Sequence, residues 1–141
     1  MPSWPPMMTP TTATIRLTLH VLAATIWVGG QFTLAGLLPV LRKYEGSAKL
    51  AARAFNRLAW PAFAVLVITG MWNLAAVSVT DASTSYQITV LIKIAVAITA
   101  GVASAAHIAA RSKLGLALGG AIGALASLGA VFLGVLLHTG R

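Results

Sequence analysis

The sequence predicts an all-α fold: an integral membrane four-helix bundle with both termini extracytoplasmic. Three observations predict it. Of the 141 residues, 58% are hydrophobic and 9% are charged, where a soluble domain carries roughly a quarter charged residues. The apolar residues fall into four runs, about 14–41, 58–79, 86–110 and 114–138. Each run is long enough to cross a hydrocarbon core of about 30 Å at 1.5 Å per residue. Finally, Arg42, Lys43, Lys49, Arg53, Arg57, Arg111 and Lys113 lie between runs one and two or between runs three and four, while the connection between runs two and three has no basic residue. The positive-inside bias puts those basic connections in the cytoplasm and the termini outside, in the cytoplasmic membrane of a prokaryote.

The same placement disposes of nucleic acid as a partner. A net charge of +8 has the sign of a nucleic-acid binder, but most of the charges sit in two short loops between apolar spans. The chain has no cysteine, which excludes disulfides, thiolate metal sites and thiol catalysis. The first apolar run is longer than a signal-peptide core of 7–15 residues and no A-x-A site stands directly at its end, so it is expected to be retained.

Taken in order, residues 1–13 form an exposed tail, because Pro2, Pro5, Pro6 and Pro10 cannot continue a helix. The tail carries Trp4, suited to the interface, and the pair Met7 and Met8. Residues 14–141 form the membrane domain. The first span holds His20, Ala24, Trp27 and Gln31 at the spacing of one helix face, beside Gly29 and Gly30. A lipid-facing helix needs no histidine, glutamine or glycine pair, so this stripe is expected to face inward. Residues 42–57 repeat Lys49, Arg53 and Arg57 at i+4. They read either as a short interfacial helix on anionic lipid headgroups or as a solvated basic loop that sets topology.

The second span is expected to start near residue 58, with Pro61 in its first turn, where proline is tolerated. Gly70, Met71, Trp72 and Asn73 cluster towards its far end. The third span contains Lys93 and His107. The fourth repeats Gly115, Gly119, Gly123 and Ser127 at i+4, continued by Ala130, Gly134 and His138. Such a stripe packs helices closely, or leaves a flat face for a planar cofactor.

The topology groups the chemistry. His20, Met71, Lys93 and His138, with Met7 and Met8, fall near the outer leaflet. His107 lies roughly 20 Å deeper than Lys93, so His20 and His107 are not expected to grip one iron within a single chain. The only acids, Glu45 and Asp81, lie in loops. That rules out a serine–histidine–carboxylate triad and paired carboxylates in the spans, and the glycines of span four form no phosphate loop. Lys93 either snorkels to headgroups or meets an anionic group on something bound, such as a haem propionate. Imidazole suits copper, iron and zinc; thioether suits Cu(I); either imidazole or methionine holds haem iron axially.

Two resemblances sharpen this. His20-Val-Leu-Ala-Ala-Thr-Ile-Trp27-Val-Gly29-Gly30 resembles the opening helix of the copper resistance protein D membrane domain. Ile68-Thr69-Gly70-Met-Trp-Asn73 resembles that family's T-G-x-x-N segment. Tyr86 followed by Leu91-Ile92-Lys93 is similar to its Y-G-x-L-L-x-K segment, with Gln87 in place of the glycine. The chain is also similar to the small membrane protoporphyrinogen oxidases, four-helix proteins that bind haem b. The shared features are the His20–Trp27 spacing, Arg57 and Pro61 at the start of span two, and Lys93. In that family the third-helix histidine stands closer to the lysine than His107 does, and the last helix is not glycine-rich.

The grouping near the outer leaflet makes His20, Met71 and His138 the expected copper ligands; the residues expected to bind haem b are His20, Trp27, Gly30, Lys93 and His107, the last through a second haem or across a homodimer. Either resemblance implies a functional His20 and Lys93. The expected function is a small membrane protein binding a redox-active metal near the outer leaflet. Copper handling is the first reading. A haem b protein in electron transfer or protoporphyrinogen oxidation is the alternative, and a structural accessory subunit the third. A homodimer or larger membrane complex is an expected assembly.

Overall fold

The computed structural model describes residues 9–140; Trp4, Met7 and Met8 lie outside the described residues. Among the described residues there are four helices long and apolar enough to cross a membrane, Thr12–Leu41, Ser47–Ala75, Thr84–Ala109 and Lys113–Thr139, and no strand. The chain is a multi-pass, all-helical membrane protein whose outer faces meet lipid. At 1.5 Å per residue each helix is about 39–45 Å long, the thickness of a bilayer with its headgroups.

The first helix begins where Pro10 stops interfering. Thr11 and Thr14 form a reciprocal cap, each side-chain oxygen accepting the other's backbone N–H at 3.2 Å. This satisfies N–H groups that an apolar phase would penalise. α1 is Thr12–Ala24, a π-helical turn occupies Thr25–Gly29, and α2 is Gly30–Leu41. The turn widens the helix around Trp27, and such bulges recur at functional sites.

After Leu41 the chain reverses through residues 42–46, where Gly46 takes φ +74°, a left-handed conformation that suits glycine. α3 then runs unbroken over Ser47–Ala75. Two expectations change here. The basic segment divides: residues 42–46 form the reversal, while the Ala-rich remainder has high helix propensity and forms the first turns of α3 rather than a separate helix. Consequently Pro61 is not in a first turn but inside the helix. Its missing N–H leaves one carbonyl without its usual donor, a loss that membrane helices accommodate.

A turn with a short 3-10 segment, Val79–Asp81, leads to α4, Thr84–Ala109. Ser83 caps it by accepting the Tyr86 N–H. Ser112 caps α5, Lys113–Thr139, by accepting the Gly115 N–H at 3.0 Å.

The bundle consists of two antiparallel hairpins. The first pairs α1 and α2 with α3: Arg16 meets Asn73, His20 meets Thr69, and Gly30 meets Phe55. The second pairs α4 with α5: Gly134 meets Lys93, Gly129 meets Val96, Gly123 meets Ser104, and Gly119 meets His107. The hairpins join near the middle of the helices. There Trp27 packs on Trp60 and Phe63 with ring centroids 5.5 and 4.5 Å apart. Phe63 presses against Gly101, and the Trp27 indole N–H donates to Ser127 Oγ at 3.0 Å. This register brings the start of α1 and the end of α5 to one face of the bundle, the terminal face, and the basic loops to the other.

Candidate functional site

The site is built about 12 Å along α1 from the terminal face. His20 is half-buried between α1 and α3. Its Nδ1 lies 2.7 Å from Thr69 Oγ1, and Thr69 is 3% exposed. The threonine hydroxyl has one proton, and it donates that proton to the Val65 carbonyl at 2.6 Å. Thr69 Oγ1 can therefore only accept from the imidazole. This makes Nδ1 the protonated nitrogen and leaves Nε2 with its lone pair. A hydrogen bond that sets which nitrogen is basic is the arrangement found behind ligating histidines. Gly70 lies beneath the ring, and a Cβ placed there would be 3.8 Å from His20 Cε1.

One helical turn nearer the terminal face, Arg16 Nε donates to Asn73 Oδ1 at 2.6 Å. The guanidinium stands 5.9 Å from the centre of the Trp72 ring. The interface of α1 with α3 thus carries two polar rungs in register. Across the bundle, Lys93 of α4 is half-buried and lies at a similar depth, about 13 Å along α4 from the terminal face. Its Nζ passes over Gly134, 3.3 Å from where a Cβ would be. Both acids of the chain lie outside the helices, Glu45 in the reversal at residues 42–46 and Asp81 in the 3-10 turn. Residues of all four transmembrane helices thus lie at this depth: His20, Thr69 with Gly70, Lys93, and Gly134.

The other expected site residues lie elsewhere. Trp27 is 4% exposed and is held by Ser127 and the aromatic cluster; it pins the hairpins together. The space that Gly30 leaves is filled by Phe55 of α3. His107 lies at the basic face, where its Nδ1–H donates to the Leu116 carbonyl at 2.7 Å and its ring lies over Gly120. It clasps the start of α5 to the end of α4. Met71 is about 200° round α3 from Thr69 and 66% exposed, so it faces lipid rather than His20. His138 is exposed in the last turn of α5. Among the described residues no group of three or more His, Cys, Asp or Glu gathers to hold a metal ion.

The glycine stripe of α5 also resolves into packing. A Cβ at Gly119 would stand 2.9 Å from the His107 backbone, and one at Gly123 would stand 2.9 Å from Ser104 Oγ. The flat face is occupied by α4, which is the close approach that small residues permit. Sequence reasoning missed Thr69 and Ser127 as partners. Both were visible, one inside the T-G-x-x-N segment and one inside the stripe of small residues. Their roles depend on the register between helices, which the sequence does not carry. Comparison of the chain with protein families, curated proteins and solved structures found no match.

Proposed function

We propose that the protein binds haem b between its hairpins near the terminal face: the His20 Nε2 would hold the iron, and Lys93 would pair with a carboxylate of the group. The observation that carries this reading is the His20–Thr69 pair opposite Lys93. A half-buried imidazole of fixed tautomer and an ammonium with no carboxylate in the spans meet the donor and charge needs of a metal group that carries its own anions. Bound haem supplies one-electron redox chemistry at its iron. The chain's part is to present one nitrogen, to neutralise one carboxylate and, through the aromatic cluster below, to close the site towards the basic face.

Copper handling, which the resemblance to copper resistance protein D implies, is the second reading. His20 is available to it, and Met71 and His138 lie towards the same face. Two observations weigh against it. Met71 points to lipid, and a bare cation at His20 is repelled by Lys93, a Coulomb cost that grows in a low dielectric. In both readings the terminal face is extracytoplasmic. The basic face, with residues 42–57, meets anionic lipids of the inner leaflet of a prokaryotic cytoplasmic membrane, and a homodimer or larger complex supplies the redox partner.

One preparation separates the readings. Full-length protein purified in detergent after haem supplementation is expected to show a Soret band. A copper signal without a Soret band favours the second reading, and neither signal favours an accessory subunit.

A further inference from the structure

We propose that the chain holds one anionic, hydroxylated phospholipid of the phosphatidylglycerol type at a defined site. The acyl chain lies in a groove between α1 and α3, and the phosphate lies on Arg57. The inference rests on that part of the proposed function which sets the basic face against anionic lipid, and it is independent of the haem reading.

The groove has a volume of about 260 Å³ and is lined by apolar side chains, with Leu19, Leu22 and Ile26 from α1 facing Leu58, Pro61 and Val65 from α3. It opens to the bilayer, since Leu22 and Leu58 are more than half exposed. It is a trough because the residues beneath it, Ala23 and Ala62, are small and buried.

Arg57 stands one turn from Pro61 towards the basic face and about 40° round the helix from it. It is exposed. It is not in a loop: Phe55 packs against Gly30, and α2 runs on for roughly 17 Å towards the basic face below that level. Arg57 therefore lies about 15 Å along α3 from Ser47, with an exposed side chain on an apolar helix. A charge in that position draws in water or an anion, and the chain offers no carboxylate nearby.

Pro61 adds a second requirement. Lacking an N–H, it leaves the Arg57 carbonyl without its helical donor. Charge donor and carbonyl acceptor thus stand at one residue. A phosphate fits the first, and a headgroup hydroxyl fits the second.

The test is native mass spectrometry of the full chain in detergent, titrated with phosphatidylglycerol and phosphatidylcholine of identical acyl chains. The wild type is expected to retain phosphatidylglycerol about fivefold more strongly, the ratio that one basic residue near a lipid surface supports. Arg57→Gln is expected to abolish that preference and Arg57→Lys to keep part of it. Arg111→Gln, at the same face but away from the groove, is expected to leave it intact. Leu22→Trp, at a lipid-facing position that does not disturb the core, is expected to lower retention of both lipids. Equal retention of the two lipids by the wild type overturns the anionic-lipid reading itself. A wild-type preference that Arg57→Gln leaves intact, or that Arg111→Gln removes equally, overturns only the site. Circular dichroism of each variant separates loss of the site from loss of the fold.

Discussion

The two hairpins solve the same packing problem by opposite means. In the second, α5 lays glycines against α4, and the backbones approach until a single added methyl would meet backbone atoms at Gly119. In the first, α1 and α3 are joined by side-chain rungs, Arg16 with Asn73 and His20 with Thr69. Lipid is as apolar as leucine, so burial of oily surface drives neither pairing; close van der Waals packing drives one and hydrogen bonding the other. Hydrogen bonds between transmembrane helices are worth little more than those in soluble proteins, while a polar side chain left without a partner is costly. Polar rungs are therefore a poor way to gain stability alone. The second hairpin has one such bond, from His107 to the Leu116 carbonyl at the basic face; on the proposed haem reading the rungs of the first hairpin position the ligand and the glycine hairpin is the frame behind it.

The largest effect that separates the two is His20→Ala. It is expected to abolish the Soret band of the purified, haem-supplemented protein while leaving helicity unchanged. His107→Ala, which removes an equivalent side chain from the frame, is expected to leave the band in place and to lower thermal stability only. An intact Soret band in His20→Ala would overturn the assignment of the ligand. Loss of the band in both variants would mean that the hairpins are not functionally distinct.

Next comes the frame itself. Gly119→Ala forces a methyl against the His107 backbone at 2.9 Å and is expected to cost about 1–3 kcal/mol, the range for overpacking a close contact. Gly36→Ala is the control, because a Cβ there meets nothing within 4 Å. It is expected to be neutral or stabilising by about 0.5–1 kcal/mol, the helical preference for alanine. Unfolding in mixed detergent measures both. Equal effects would show that the stripe of α5 is not a packing surface.

How much of this the sequence made legible follows from the same contrast. The four spans were readable because apolar length is a local property, and the glycine stripe because its spacing lies within one helix. The start of α3 differs from the expected residue 58 because a run of basic residues reads as a segment of its own, while its alanines and leucines continue one helix through the headgroup zone. The π-helical turn under Trp27 has no sequence signature beyond the neighbouring glycines. Thr69 and Ser127 could be seen but not assigned, since a hydrogen bond between helices depends on register and tilt.

Thr69→Val sharpens the first hairpin further. It keeps the shape of the side chain and removes both the acceptor for His20 Nδ1–H and the donor to Val65. Groups that orient a ligating histidine change metal affinity by about 10–100-fold when removed, and a loss of haem affinity in that range is expected with His20 still present. Thr69→Ser retains the hydroxyl and is expected to restore most of the affinity. Equal affinity in the valine and wild-type proteins would reduce the threonine to a packing residue.

The smallest effect tests the join. Trp27 donates to Ser127 across the hairpins at 3.0 Å, and both residues are almost fully buried. Gln31 approaches the same oxygen at 3.5 Å, too long to replace the indole as donor. A double-mutant cycle of Trp27→Phe with Ser127→Ala is expected to give a coupling of about 0.6 kcal/mol, the average for hydrogen bonds between membrane helices. The phenylalanine keeps most of the contact with Trp60 and Phe63, so the cycle isolates the hydrogen bond from the ring packing. A coupling near zero would mean that aromatic packing alone holds the hairpins together. The distance from His20 to Lys93 would then be set by the fit of Phe63 against Gly101, and Gly101→Ala, whose Cβ would fall 2.7 Å from that ring, would move the site more than any change at Ser127.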